Sequence, residues 1–388
     1  MKNNMINTIR LSRRTLTLGL GSGLLFSGYA LNSVAAVRES TRSSPTSPLK
    51  NAYASAVTDR NNQHWLVSLA ADGQLRHKLG LPSRAHQIAV HPSLPVVAVA
   101  ARRPGTYLMI VNTQSGELAH ELQPEQGHHF YGHACYSPDG RRLYTSENHI
   151  DSGEGRIFVR DAQENYQIIQ SFSSHGIGPH ELKIHPDGQT LVVANGGILT
   201  HPDTGRDKLN LDTMSPSLVY LSAQSGDLLE QCTLPESLHQ LSIRHIDINQ
   251  EGLCAIAMQY QGIRSDNVPL IARHERGKAI ETLWVPEALN PLMKNYCGSV
   301  CFNNSGTLFA VSAPRGNLVS LWDAQDGTFI KHFHCLDVCG ISQFGPHGFM
   351  FSNGMGKLYQ LDTNTKILAL ESSQEYPFAW DNHLSYLG

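Results

Sequence analysis

A short turn, most often closed by glycine, returns through this chain at a nearly even interval, and a chain built on such a repeat has few folds open to it. The turns read HPSLP at His91, SPDG at Ser137, HPDG at His185, NQEG at Asn249, NNSG at Asn303 and GPHG at Gly345. Each follows a short alternating apolar segment and precedes a β-rich run such as 96–100, 191–194 or 308–311. A second turn recurs later in each unit: AADGQL at Ala70, NTQSGEL at Asn112, DAQENY at Asp161, SAQSGDL at Ser222, HERGKAI at His274, DAQDGTF at Asp323 and DTNTKIL at Asp362. Four strands per unit, repeating every ~40 to 60 residues, is the period of propeller blades.

The first turn has one copy fewer than the second. The unit that starts at Tyr53 lacks its leading strand, and the tail FAWDNHLSYL (378–387) resembles the missing piece. The sequence therefore predicts an all-β, seven-bladed propeller of the YVTN/WD40/quinoprotein-like kind over residues 51–388, its last blade closed by the C-terminal strand. Closing the ring that way removes two exposed sheet edges. A pair of stacked sheets is the alternative fold.

The N-terminus reads as an address. Ser12-Arg13-Arg14-Thr15-Leu16 has twin-arginine character, an apolar run follows to Leu31, and Val34-Ala35-Ala36 suits signal peptidase. Residues 1–36 are expected to be a signal peptide and 37–50 a disordered Ser/Pro-rich leader. The mature protein would then be periplasmic, touching the membrane only before cleavage, unless the segment is kept as an anchor. With 30 Lys+Arg against 33 Asp+Glu, no overall charge favours nucleic acid. None of the seven Cys lies in a CxxC or CxxCH, so covalent haem attachment is not expected. Cys254 and Cys301 read as core, and disulfide pairing cannot be assigned from spacing.

Twenty His are the unusual feature. In a blade whose strands a to d run outward from the axis, the d–a and b–c connections share one rim. The d–a side carries His86; His128, His129 and His133; His175, His180 and Glu181; His239, Arg244 and His245; and Asp381, Asn382 and His383. Blades 5 and 6 depart from this, with Gly298-Ser299 and Cys339-Gly340. Aligned on the turn glycine, His86, His180 and Arg244 share one column and His133 and His245 the next, and a one-residue slip sends side chains to opposite faces. The b–c connections are expected to be long in blades 2, 3 and 4, which makes a lopsided pocket.

Three chemistries suit such a rim. Imidazole with carboxylate holds transition metals, Fe or Cu foremost, with His133, Glu147, His180, Glu181 and His245 as the candidate ligands. The same His and Glu could serve as general acid and base. Asn148, Asn195, His201, Asp203, Arg206, Arg244, Gln259 and Tyr260 are candidates for binding a small ligand, an anion in particular at the arginines. Against these stands the structural reading, in which each His ties one blade to the next. His91 and His185 read as solvated turn residues on the opposite rim, His332 and His334 as surface, Trp322 as blade packing, and Phe130, Tyr131 and Tyr144 as core between blades.

The motifs GHHFYGHACYSPDGRRLYTSENHID, SHGIGPHEL, VVANGGILTHPDTGRDKLNLDTMSPSL, LSIRHIDI, AMQYQG and the terminal WDNH resemble a bacterial family of unknown function. That resemblance spans nearly the whole mature chain. It implies twin-arginine-exported periplasmic propellers, commonly encoded beside imelysin-type iron-uptake proteins and a dihaem peroxidase-like protein. It thus implies an accessory role in iron acquisition with imelysin-type partners, and supplies no catalytic residues; the propeller is separately expected to be a monomer. A metal-dependent or quinoprotein-like enzyme and a pure protein-interaction scaffold are the alternatives.

Overall fold

The structure is a computed structural model that describes residues 52–70, 72–365 and 369–388; the signal peptide and leader expected at 1–50 lie outside them. Seven antiparallel sheets form a β-propeller. Blade 1 is Ala85–Val90, Val96–Ala101, Leu108–Asn112 and Leu118–Leu122. The innermost strands of blades 2 to 6 are His128–Tyr136, Pro179–Ile184, Leu241–Ile248, Ser299–Phe302 and Val338–Phe344. Each starts a sheet whose next three strands follow in chain order.

Blade 7 is assembled from both ends of the described chain. Tyr53–Asp59, His64–Leu69 and Leu75–Leu81 form its outer three strands, and Phe378–Trp380 and Ser385–Tyr386 pair antiparallel with Tyr53–Asp59 from the inside. Val57 faces Trp380 and Tyr53 faces Tyr386. The tail therefore supplies the strand that the first unit lacks, and main-chain pairing shields what would be an open edge.

Alternation along each strand places apolar residues between neighbouring blades. One such layer joins Trp322, Phe309 and Phe302 to Leu241, Ile256 and Met293. Trp322 is fully buried, stacks on Phe309 at 6.0 Å and donates its indole N–H to Ser320 Oγ at 2.9 Å, the packing role expected of it. On the rim away from the d–a connections, turn residues lace the blades together. His91 departs from expectation: it is buried, with Nε2 3.1 Å from the Gly140 carbonyl oxygen of the next blade's turn. Asn249 does the same from blade 4, donating to the Gly306 carbonyl at 3.1 Å. His185 is only half-buried. All seven cysteines are free thiols, Cys254 buried and Cys301 half-buried.

Blade 2 also differs from expectation. Its second and third strands, Arg142–His149 and Glu154–Asp161, run further than the polarity of Glu147, Asn148 and His149 suggested. The residues expected in a loop there extend the sheet instead. The long b–c connections are those of blades 3 and 4.

Candidate functional site

Five imidazoles meet where the inner strands face the axis. They come from His86, His133, His180 and His245 on the innermost strands of blades 1 to 4, and from His383 between the two closing segments of blade 7. Ring centroids run His86 to His133 4.7 Å, His133 to His180 4.5 Å, His180 to His245 4.6 Å, His245 to His383 4.9 Å and His383 to His86 4.8 Å. All five side chains are buried. Five consecutive blades thus contribute, and the two that do not are those with Gly298-Ser299 and Cys339-Gly340.

The one-residue slip between sequence columns is absorbed by bulges. Pairing of the first and second strands shifts between Ala85 and Ile88, between Phe130 and Ala134, between Pro179 and Glu181, and between Ile243 and His245. Each shift falls at or beside the histidine. An extra residue in one strand bends it and re-aims a side chain, so rings from different columns reach the same place. Two glycines give the cluster room. Gly132 sits at φ +107°, and a Cβ there would come within 3.0 Å of the His86 ring. A Cβ on Gly340 would stand 2.5 Å from Leu384 N and 2.7 Å from His383 C, so the closing segment passes only because blade 6 has no side chain at that point.

Burial sets the charge state. Desolvation holds His86, His133, His180 and His245 well below the ordinary imidazole value, and neighbouring histidines and Arg102, Arg244 and Lys183 add to it. His383 is pushed down to about 3 by the same burial and by His245. The five are therefore neutral at neutral pH, the form that ligates metals. His133 Nε2 and His383 Nε2 lie 3.1 Å apart. His245 Nδ1 lies 3.3 Å from Glu181 Oε2, which also accepts from the Ile246 amide at 3.0 Å. A carboxylate on Nδ1 fixes the tautomer and leaves Nε2 free to bind. Burial raises the Glu181 carboxyl, opposed by Lys183 at 3.8 Å.

Three of the five, His86, His133 and His180, have a buried Nδ1 with no hydrogen-bond partner. Leaving such an atom unsatisfied costs about 1–3 kcal/mol each. A metal ion would use those lone pairs. The sets His86/His133/His383, His86/His180/His245 and His133/Glu181/His245 each hold their donor atoms within 4.8 Å of one another. Metal–nitrogen bonds near ~2.1 Å need donors about 3–3.5 Å apart, so small ring rotations inward complete a site. A fourth cluster, Glu230, Cys232 and His274, lies outside the rim. There His274 is already engaged, Nδ1 with Tyr220 Oη at 2.8 Å and Nε2 with the Lys278 carbonyl at 2.8 Å.

Over the histidines opens a cavity of about 890 Å³ into which His86 and His180 face. Arg102 and Arg103 enter it from blade 1, and Arg244 from the inner strand of blade 4. The b–c connections of blades 3, 4 and 5 add Arg206, Lys208, Arg264 and Arg315, and the blade 4 to 5 crossing adds Lys294. Among the described residues, no Asp or Glu lines it. Tyr131 is fully buried, as its reading as core expects, and also borders this cavity with Arg103 over its ring at 5.4 Å. Gln259 and Tyr260 line it too, Gln259 donating to the Cys297 carbonyl at 3.0 Å and Tyr260 to Asp266 at 2.6 Å.

Other sequence candidates sit elsewhere. Glu147 is buried against Arg160 Nη2 at 3.3 Å and Thr145 Oγ1 at 2.8 Å, a structural ion pair away from the imidazoles. Asn148 donates to the Gly153 carbonyl at 3.3 Å within blade 2, and Asn195 donates to the Ser174 carbonyl at 2.8 Å, tying blade 3 to the outer strand of blade 2. His201 caps a short 3₁₀ turn, its Nδ1 accepting from the Asp203 amide at 3.2 Å, and Asp203 is exposed. Missing from the sequence-based metal set were His86 and His383, although both stand at d–a positions. Lys208 stands with Arg206 in the long blade 3 connection read from the sequence as part of the rim, whereas Lys294 and Arg315 carried no sequence signal, because loop residues have no period to align.

The fold and site define a seven-bladed propeller whose axis is filled by neutral histidines beneath a cationic mouth. The chain belongs to the family described as protein of unknown function (DUF1513), whose model matches residues 79–387. No protein of curated function matches the sequence. Among solved structures, hydrazine synthase of Kuenenia stuttgartiensis is similar at 14% identity and TM-score 0.59, over 82% of this chain and 94% of that one. A chain of the mitotic checkpoint complex is similar at 12% identity and TM-score 0.56, over 76% and 80%. At such identities the likeness is one of fold alone.

Proposed function

We propose that this protein is a periplasmic metal-binding propeller, exported through the twin-arginine route and acting as an accessory binding protein in iron acquisition. The observation that carries the metal reading is the convergence of five buried neutral imidazoles, three with an unpartnered Nδ1. An all-nitrogen donor set suits Fe, Cu, Zn or Ni rather than Mg or Ca. His86, His133, His180, His245 and His383 would hold the ion, and Glu181 would orient His245. The iron assignment and imelysin-type partners rest on the sequence resemblance.

Elemental analysis of protein purified after native export, with calorimetric titration of Fe(II), Cu(II) and Zn(II) into chelator-treated protein, tests the metal reading. His180→Ala with His245→Ala should abolish binding and keep the β-sheet circular dichroism. Absence of any metal, together with no heat of binding, overturns it. Pull-down from periplasm with an imelysin-type protein tests the partner. A second reading, a metal-dependent or quinoprotein-like enzyme, draws on the opening of the cavity onto His86 and His180. Turnover of a small substrate by loaded protein, lost in the same double variant, would favour it.

A further inference from the structure

The cationic mouth is a separate site with its own chemistry. Eight Arg and Lys side chains line one cavity to which no carboxylate among the described residues contributes, in a protein whose net charge is −3. Of the eight, only Arg102 reaches a carboxylate among the described residues, Asp381 at 3.5 Å. Like charges gathered without a counter-charge destabilise the fold that holds them unless something else neutralises them.

Arg244 makes the case specific. It is buried, at 9% exposure, and its Nε and Nη1 have no hydrogen-bond partner. It lines the cavity beside His180. Among the loop residues of the mouth, Lys208 is lowered by burial and by the neighbouring Arg315, Arg244 and Arg103. Guanidinium donors in a planar fork match carboxylate or phosphate oxygens bidentately. The volume, about 890 Å³, suits an organic molecule rather than a lone chloride or water-sized ion. Tyr131, Gln259 and Tyr260 add an apolar and hydrogen-bonding wall.

We infer that this cavity binds a small polyanion, a molecule with two or more carboxylate or phosphate groups, held by Arg244 and Arg103 with Arg206, Lys208 and Arg315 around it. The site acts on metal-free protein, so it stands whether or not the histidines hold an ion.

Calorimetry on chelator-treated protein with citrate and with pyrophosphate, and with glycerol as an uncharged control, tests it. Binding of either polyanion, weakening as salt rises through the ~0.1 M range where screening sets in, is expected. Citrate alone marks a polycarboxylate, and pyrophosphate alone a phosphate compound. Arg244→Gln should weaken binding at least tenfold, the loss typical of one charge-assisted hydrogen bond or more. Arg206→Glu, on an exposed stretch of loop, should weaken it too and cannot act by unfolding the core. No binding of citrate or pyrophosphate, or affinity unchanged in both variants, overturns the inference. Loss of metal binding with polyanion binding intact would count against the metal reading only.

Discussion

Acid should unfold the metal-free protein steeply. Between the ordinary imidazole value near ~6.5 and the depressed values of the cluster, the unfolded chain binds protons that the folded chain refuses. Stability is therefore fully present above ~6.5 and falls as pH is lowered toward the folded values, for His383 about 3. Each histidine contributes a limiting slope of about 1.4 kcal/mol per pH unit, and five together about 7. As the pH falls further the summed loss approaches the whole stability of an ordinary domain, about 5–15 kcal/mol. Two carboxylates face the cluster. Glu181, raised by burial, favours the folded state as pH falls but offsets about one proton of the five, and Asp381 stands 3.7 Å from His86 Nδ1. Lys183, Arg102 and Arg244 remain cationic and oppose any imidazolium. Urea titrations from pH 7.5 to 5, on chelator-treated protein, measure the slope. A value of at least about 4 kcal/mol per pH unit near pH 5 is expected, and His133→Gln with His383→Gln should lower it by about two protons' worth. A slope at or below one proton, about 1.4 kcal/mol per pH unit, would refute the dry, neutral cluster.

Other substitutions probe the supports of the site. Gly340→Ala forces a methyl onto the His383–Leu384 backbone and should cost about 1–3 kcal/mol, with a lower Tm and weaker metal binding through displaced His383. Arg160→Met strands the buried Glu147 carboxylate and should cost about 3–5 kcal/mol in denaturant melts, while Glu147→Leu added to it recovers most of the loss. Removing residues 378–388 leaves Tyr53–Asp59 as an open inner edge, and gel filtration should show association or aggregation of the truncated chain.

The ring of blades was legible because glycine turns and alternating strands repeat, and because the count of one turn fell one short of the other. That shortfall located the closing strand at 378–387. The convergence of histidines was only half legible. His133, His180 and His245 stand out as polar residues at the head of inner strands, but the register that brings them together with His86 depends on bulges, and a bulge is set by the partner strand rather than by its own residues. His383 belongs to a tail too short to align with full blades. Glu147 looked like a ligand because its neighbours are polar, yet the strand continues through it and Arg160 on the adjacent strand claims it. Lys208, Lys294 and Arg315 meet across the mouth only after three connections fold over it, so no spacing in the chain announces their meeting.

The account turns on whether a metal sits among imidazoles. X-ray absorption at the edge of the metal retained by natively exported protein tests this most directly. A first shell of at least three nitrogen donors at about 2.0–2.2 Å with the outer-shell pattern of imidazole is expected, reduced by one donor in His86→Gln. A shell of water or carboxylate oxygen alone, or a spectrum unchanged when the histidines are removed, would contradict it.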